Sequence, residues 1–272
     1  MNERELASLP AVVQMTAHTH IAMLERLLPG WLVGWYAVGS AALGCFDRRV
    51  SDLDFVAVVR RSLGEDELAP LRRAHRALDD RRLFAPLDGL YVAIDAFAGG
   101  DRRCLRFNDG RFHEPVAFSP YSPAGWVLKH CAAAFLGPEP AALPFEPDWA
   151  LVAAGMRQNL SGYWRAWAAG CRNPADPRWW WLNLSPAALE WCVLGVSRIR
   201  YSLMEGGIAG KEAAGRQALS TAPVRFHPVI LEALRRRDAS ISRQYASPAA
   251  RRRAALDYLD YVIGEWGDPA GR

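Results

Sequence analysis

Residues 38–54 read VGSAALGCFDRRVSDLD, and Asp52 and Asp54 stand one residue apart immediately before the apolar run FVAVV. Side chains alternate along a strand, so an Asp-x-Asp entering one places both carboxylates on the same face. Two carboxylates held that close repel each other unless a cation lies between them. Mg²⁺ suits the position: it is hard, seeks oxygen, and is commonly shared between one or two carboxylates and substrate phosphates. Gly39 and Ser40 lie a few residues upstream. They offer backbone N–H groups and a hydroxyl suited to phosphate oxygens, and Gly39 permits close approach of the backbone. The stretch reads as a site for a metal–triphosphate. No GxxxxGKS or GxxxxGKT occurs, so it is not a P-loop. Ser-Asp before a strand is also an ordinary turn, and Gly-Ser alone carries nothing. The combination of Gly-Ser, a downstream glycine and SDLD opening an apolar strand carries the reading.

The elements that must position these residues follow from periodicity. Apolar spacing predicts a helix over 10–28, stopped by Pro29-Gly30. WLVGWYAV, DLDFVAVV and GLYVAIDAFA read as three strands, with short strands at LRF and RFHEPV extending the sheet. Residues 65–80 read as an exposed helix, and 122–140 as a helix opening on Ser-Pro and closing on Gly-Pro. After the proline-rich stretch GPEPAALPFEPD the pattern turns helical, with helices expected at 147–170, 186–205, 209–219, 226–237 and 247–265. The fold class predicted is α+β: a mixed sheet with helices over residues 1–140, then an all-α helical bundle over 141–272.

Composition narrows the function. Hydrophobic residues make up 51% of 272 and charged residues 23%, enough for a real core. A net charge of +4 is too weak to argue for nucleic acid without a clustered patch, and suits an anionic ligand such as a nucleoside triphosphate. The RRR runs at 235–237 and 251–253 read as solvated helix faces. Five scattered cysteines form no CxxC pair, which argues against zinc and redox dithiols and fits a reducing compartment. The most apolar stretch contains Asn183, Ser185, Pro186 and Glu190, so no membrane span is expected. The N-terminus does not read as a signal peptide. A cytoplasmic protein, monomeric and without nucleic-acid or membrane partners, is the expectation.

Gly39-Ser40, Gly44 and Ser51-Asp52-Leu53-Asp54 resemble the signature of the nucleotidyltransferase superfamily. KHCAAAFLGPEP at 129–140 and VLGVSRIRYSLMEGGIAGKEAAGRQAL at 193–219 are similar to segments of the streptomycin/spectinomycin adenylyltransferases. The resemblance implies that Asp52 and Asp54 bind Mg²⁺ and that Gly39, Ser40 and Ser51 belong to the nucleotide site. It further implies that Arg198 and Lys211 contact phosphates from a helical domain closing over ATP and a small-molecule acceptor. Pyrophosphate would leave, and an aminoglycoside or aminocyclitol hydroxyl would take AMP. A cation pair opposite the metal is what neutralisation of a triphosphate requires.

The chain departs from that family twice. The family's third strand carries a glutamate that serves as general base. Here the strand reads GLYVAID, which puts Tyr91 at the aligned position and Asp95 on the same face roughly 13 Å further along. Three accounts follow. Asp95 is the base or a third metal ligand, under a shifted alignment; or the base is absent, with positioning and metal carrying the catalysis; or the chain binds nucleotide without efficient transfer. On the acceptor side, Leu184 and Ala188 stand near the places of the family's acidic residues, behind Trp179, Trp180 and Trp181, with Asp176 and Glu190 the nearest acids. Such an aromatic wall suits a less cationic acceptor, or packs within the protein.

Overall fold

The computed structural model describes residue 6 and residues 8–80, 82–99 and 103–267. These form two compact units, Met1–Asp148 and Trp149–Arg272, dividing at the end of the proline-rich stretch. The fold is α+β.

The first unit is built on a six-stranded sheet in the order β5-β4-β3-β2-β1-β6. Its strands are β1 (Leu32–Ala37), β2 (Leu53–Val59), β3 (Leu87–Ala93), β4 (Arg103–Asn108), β5 (Arg111–Ala117) and β6 (Ala133–Leu136). Among the described residues only β2 and β3 pair in parallel and the other pairings are antiparallel, so the sheet is mixed. The helices are α1 (Ala11–Leu27), the single turn α2 (Gly39–Ala42), α3 (Ala69–Ala77) and α4 (Pro123–His130). Phe55, Ala57 and Val59 of β2, and Leu87, Tyr91 and Ala93 of β3, pack in one core with Val13, Ala17 and Leu24 of α1 and Leu71 and Ala74 of α3. Alternation therefore turns residues 54, 56 and 58 of β2, and 88, 90 and 92 of β3, to the opposite face of the sheet.

Two expectations fail in this unit. β3 ends at Ala93, and Ile94–Ala98 form a 3₁₀ turn rather than more strand. The helix expected over 122–140 stops at His130, and Ala133–Leu136 become the edge strand beside β1. Alanine's helix preference is a weak prior, and here tertiary contact overrides it. A Cβ on Gly137 (φ +92°) would meet the Val33 carbonyl at 2.7 Å. Tyr36 donates its hydroxyl to the Pro138 carbonyl at 2.9 Å. The buried Lys129 ammonium donates to the carbonyls of Ala141 (2.9 Å) and Leu143 (2.8 Å) and pairs with Glu146 at 2.7 Å, fixing the chain as it leaves the sheet.

The second unit is helical: α5 (Trp149–Asn159), α6 (Arg165–Arg172), α7 (Pro177–Leu184), α8 (Pro186–Glu205), α9 (Lys211–Thr221), α10 (His227–Leu234) and α11 (Pro248–Trp266). The single helix expected over 147–170 contains a π turn at Leu160–Trp164. Helix α7 went unforeseen; Asp176 caps it, accepting from the Arg178 amide at 2.8 Å. Helix α8 opens on a Ser185 cap and closes on Gly206 in the left-handed region. The arginine runs are solvated faces only in part: Arg236 and Arg253 are exposed, and the others are held by the protein. Arg251 is buried and donates to the Asn183 carbonyl at 2.8 Å, Arg252 lies 4.5 Å over Trp179, and Arg236 and Arg237 bind Glu190. Among the described residues no helix is long and apolar enough to cross a membrane.

A buried polar chain crosses the first unit's core. Trp35 Nε1 donates to His20 Nδ1 (3.2 Å), the Tyr91 hydroxyl meets His20 Nε2 (3.0 Å), and it also meets His75 Nε2 (2.8 Å). Because Trp35 only donates, His20 carries its proton on Nε2 and gives it to Tyr91, whose hydroxyl then donates to His75. Both imidazoles must stay neutral. Burial pushes His20 down to about 3, and burial together with His20 pushes His75 well below the usual range. The unfolded chain binds these protons at the ordinary pKa of about 6.5, so this part of the stability is complete above that value and falls on acidification. Unfolding free energy from denaturant titration should drop by about 1.4 kcal/mol per pH unit for each histidine between pH 6 and 5. A pH-independent stability over that range would refute the neutral relay.

Candidate active site

The antiparallel register Ala37↔Phe55 brings the end of β1 to the start of β2. There Val38 N donates to the Asp54 carbonyl at 2.9 Å, tying the Gly39-Ser40 turn to the strand. Gly39 is in the left-handed region at φ +55°, and a Cβ built on it would lie 1.8 Å from Asp54 Oδ2. The glycine is therefore required twice, by its backbone conformation and by the carboxylate packed against its Cα. The Ser40 hydroxyl is buried and has no hydrogen-bond partner among the described residues, an arrangement that calls for a ligand or water. Ser51 closes the loop instead: its hydroxyl accepts from the Asp47 amide at 3.2 Å, and its own amide donates to the Asp47 carbonyl at 2.8 Å.

The parallel pairing of β2 with β3 sets Asp54 beside Asp88. Adjacent strands lie about 4.8 Å apart and paired residues share a face, so the two carboxylates stand side by side. Asp88 escaped the sequence reading because it precedes the apolar run, where it passes for a turn residue. The visible signal was its place at a strand entry, the same place that Asp54 occupies. Burial pushes the Asp88 carboxyl above the usual range; the Asn108 side-chain amide, which donates to it, pulls it back, and the charge of Asp52 raises it further. A divalent cation relieves both upward pressures, and carboxylate oxygens are the donors Mg²⁺ takes. Among the described residues no three His, Cys, Asp or Glu side chains could hold a metal unaided, so ligand oxygens would have to complete its shell.

Tyr91 and Asp95 do not join this group. Tyr91 pairs with Ala57 and lies on the helix-covered face, fully buried between His20 and His75. It occupies the core, and the strand position beside the paired aspartates is Asp88. Asp95 is exposed in the 3₁₀ turn beyond Ala93. Five strand steps lead from Asp88 to Ala93, so Asp95 lies roughly 16 Å or more from the carboxylates, beyond the far end of β3.

In the second unit, three contacts fix how α8 and α9 lie. Lys211 Nζ is 4.0 Å from Glu190 Oε1, a Cβ on Gly215 would meet Leu194 Cδ2 at 2.8 Å, and Arg200 donates to Thr221 Oγ1 at 2.6 Å. Both members of each pair advance together, so α9 runs alongside α8 in the same direction and residues 206–210 must double back. Arg198 holds that return, its Nε donating to the Ala209 carbonyl at 3.0 Å. Arg198 thus reaches the backbone two residues before Lys211. Lys211 opposes the dipole at a helix start, and Glu190 and Glu212 lie close enough to offset it.

The aromatic wall divides. Trp181 packs on Trp167 and Trp191 yet stays 44% exposed, Trp180 is 53% exposed, and Leu184 is 67% exposed. Ala188 is fully buried, so it faces no ligand. Neither nearby acid is spare: Asp176 pairs with Arg178 at 2.6 Å, which holds it down at about 2, and Glu190 is buried among cations.

Gly44 offers a control for Gly39, since it too has positive φ (+66°) but has nothing within 4 Å of an added Cβ. Both Gly→Ala variants should lose about 1–2 kcal/mol of stability to left-handed strain. Only Gly39→Ala should also displace Asp54 and weaken Mg²⁺-dependent ATP binding, measured by calorimetry. Equal affinities in the two variants would separate the glycine from the carboxylate.

Residues 181–262 match the family model for the aminoglycoside adenylyltransferase C-terminal domain, a span that includes Arg198 and Lys211. No curated protein matches the sequence. The structure of spectinomycin adenyltransferase AAD(9) from Enterococcus faecialis, solved with ATP and spectinomycin, superposes with a TM-score of 0.67 at 15% identity, over 91% of this chain and 98% of that one. Residues 181–262 are thus similar to the aminoglycoside adenylyltransferase C-terminal domain, and the chain shares the fold of that solved adenyltransferase.

Proposed function

We propose that the protein transfers AMP from ATP to a hydroxyl of a small molecule, in a Mg²⁺-dependent reaction. The observation that carries this is Asp54 paired in register with Asp88, beside Asp52 and the Gly39-Ser40 turn. Asp52 and Asp54 would hold the cation, which when bound neutralises phosphate oxygens and the charge that develops on the leaving pyrophosphate. Gly39 and Ser40 cradle phosphate, with the Ser40 hydroxyl spending its open hydrogen bond there. Asp88, raised by burial, takes the proton of the acceptor hydroxyl as its oxygen attacks the α-phosphorus. By the family resemblance, Arg198 and Lys211 are the candidate phosphate-contacting residues of the helical unit. The family resemblance favours an aminoglycoside or aminocyclitol acceptor, and the apolar surface of Trp180, Trp181 and Leu184 favours one less cationic than streptomycin. The second reading, a nucleotide binder without transferase activity, rests on Tyr91 standing where the family's glutamate is expected; we propose Asp88, paired with Asp54, as the base in its place.

Incubation with each nucleoside triphosphate, Mg²⁺ and an acceptor panel should release pyrophosphate with ATP and add the mass of AMP to one acceptor. Asp88→Asn should lower kcat by ~10²–10⁴-fold with ATP affinity kept. Asp95→Asn should leave kcat unchanged. Asp54→Asn should abolish the Mg²⁺ dependence of ATP binding. Full turnover in Asp88→Asn would return the base to another residue.

A further inference from the structure

Asp88 is approached from both of its neighbouring strands. On one side β2 lies close because residue 89 is glycine; a Cβ there would collide with the Phe55 carbonyl and ring. On the other side the antiparallel register Gly89↔Phe107 carries Asn108 opposite Asp88, on the same face of the sheet. The Asn108 side-chain amide, Nδ2, donates to Asp88 Oδ2. Among the described residues the Asp88 carboxylate accepts from no other group, so Oδ1 keeps its acceptor capacity.

Asn108 has an ordinary use that it does not make. It opens the hairpin turn Asp109-Gly110, whose φ angles are both positive, +50° and +74°, the usual chemistry of an Asp-Gly hairpin. An asparagine at a turn commonly bonds its own backbone two residues on. Here the donor crosses to another strand instead. The backbone that presents it is fixed from β5 as well, because His113 Nε2 donates to the Asn108 carbonyl at 2.9 Å. Register, turn and histidine set Asn108 in place, and its side chain then sets Asp88.

The contact works against a load. Asp54 stands beside Asp88 in register, and like charges drive such carboxylates apart. Since β3 lies between β4 and β2, Asn108 grips Asp88 from the side away from Asp54. An amide donates without bringing a charge.

Resting on the proposed transferase reading, we infer that Asn108 is the positioning residue for Asp88, pinning Oδ2 so that Oδ1 is presented to the acceptor hydroxyl. In that step the acceptor oxygen bonds to the α-phosphorus, the bond from that phosphorus to pyrophosphate breaks, and the hydroxyl proton ends on Asp88. Asn108 handles no proton; it removes the rotation that would carry Oδ1 away from the acceptor.

The test compares the full chain with Asn108→Ala, the isosteric Asn108→Asp, Asp88→Asn, and Asn108→Ala combined with Asp88→Asn. It reads crystal structures, ATP affinity by calorimetry, and pyrophosphate release from Mg²⁺-ATP with spectinomycin and streptomycin as acceptor probes. In both Asn108 variants the Asp88 carboxylate should turn from its place, and kcat should fall about 10–100-fold while ATP affinity stays within twofold. In the Asp88→Asn background, Asn108→Ala should lower kcat less than twofold further, since the group it positions is gone. Asn108→Asp keeps a turn-forming residue of the same shape, so the comparison holds even if Asn108→Ala folds poorly. An unmoved Asp88 carboxylate, or an equal loss of kcat in both backgrounds, overturns the positioning role and leaves the transferase reading standing. No turnover with either probe, or full turnover in Asp88→Asn, overturns the reading of Asp88 as base and the role of Asn108 with it.

Discussion

The first unit is organised around one unfavourable contact. Parallel pairing of β2 and β3 forces Asp54 and Asp88 to stand side by side at their strand entries, with Asp52 close enough to raise Asp88. No fold gains stability from like charges so arranged. The surroundings accommodate them: Asn108 donates to Asp88, the Gly39 turn makes room for Asp54, and the other face of the same strands is filled by α1 and α3. The charge is confined to the strand entries: further along the same face Val56, Val58 and Val92 are buried.

Strand alternation made half of this legible in the sequence. Asp52 and Asp54 announce themselves because an apolar run follows them at once. Asp88 does not, because Gly89 and Leu90 separate it from the strong strand signal YVA, and only the pairing partner shows that the strand begins earlier. The same misplacement of the strand start put Tyr91 at the position expected of the family's glutamate; it lies three residues from Asp88, an odd step that turns it to the other face. Asp95 looked aligned only while Ile94–Ala98 counted as strand; the chain leaves the sheet at Ala93.

In the helical unit the long elements were visible and the short or interrupted ones were not. Ser185-Pro186 and Gly206 mark both ends of α8 by capping chemistry, and the helix spans that interval. Helix α7 lies in a tryptophan-rich stretch whose apolar side chains read as a wall and not as a turn of helix. The arginine runs misled for a different reason. Charge suggests solvent, yet Arg237 and Arg251 are buried, each held by partners from distant elements that periodicity cannot see.

The contact between Gly39 and Asp54 has a consequence for affinity. A surface aspartate samples several rotamers and loses that freedom when it coordinates a ligand. With the glycine Cα against its carboxylate, Asp54 has surrendered much of that freedom during folding. Any ligand that Asp54 takes would then meet a smaller entropic penalty, with the conformational cost carried by the β1–β2 turn instead. A carboxylate set in place and a strained turn are two readings of the same missing methyl group.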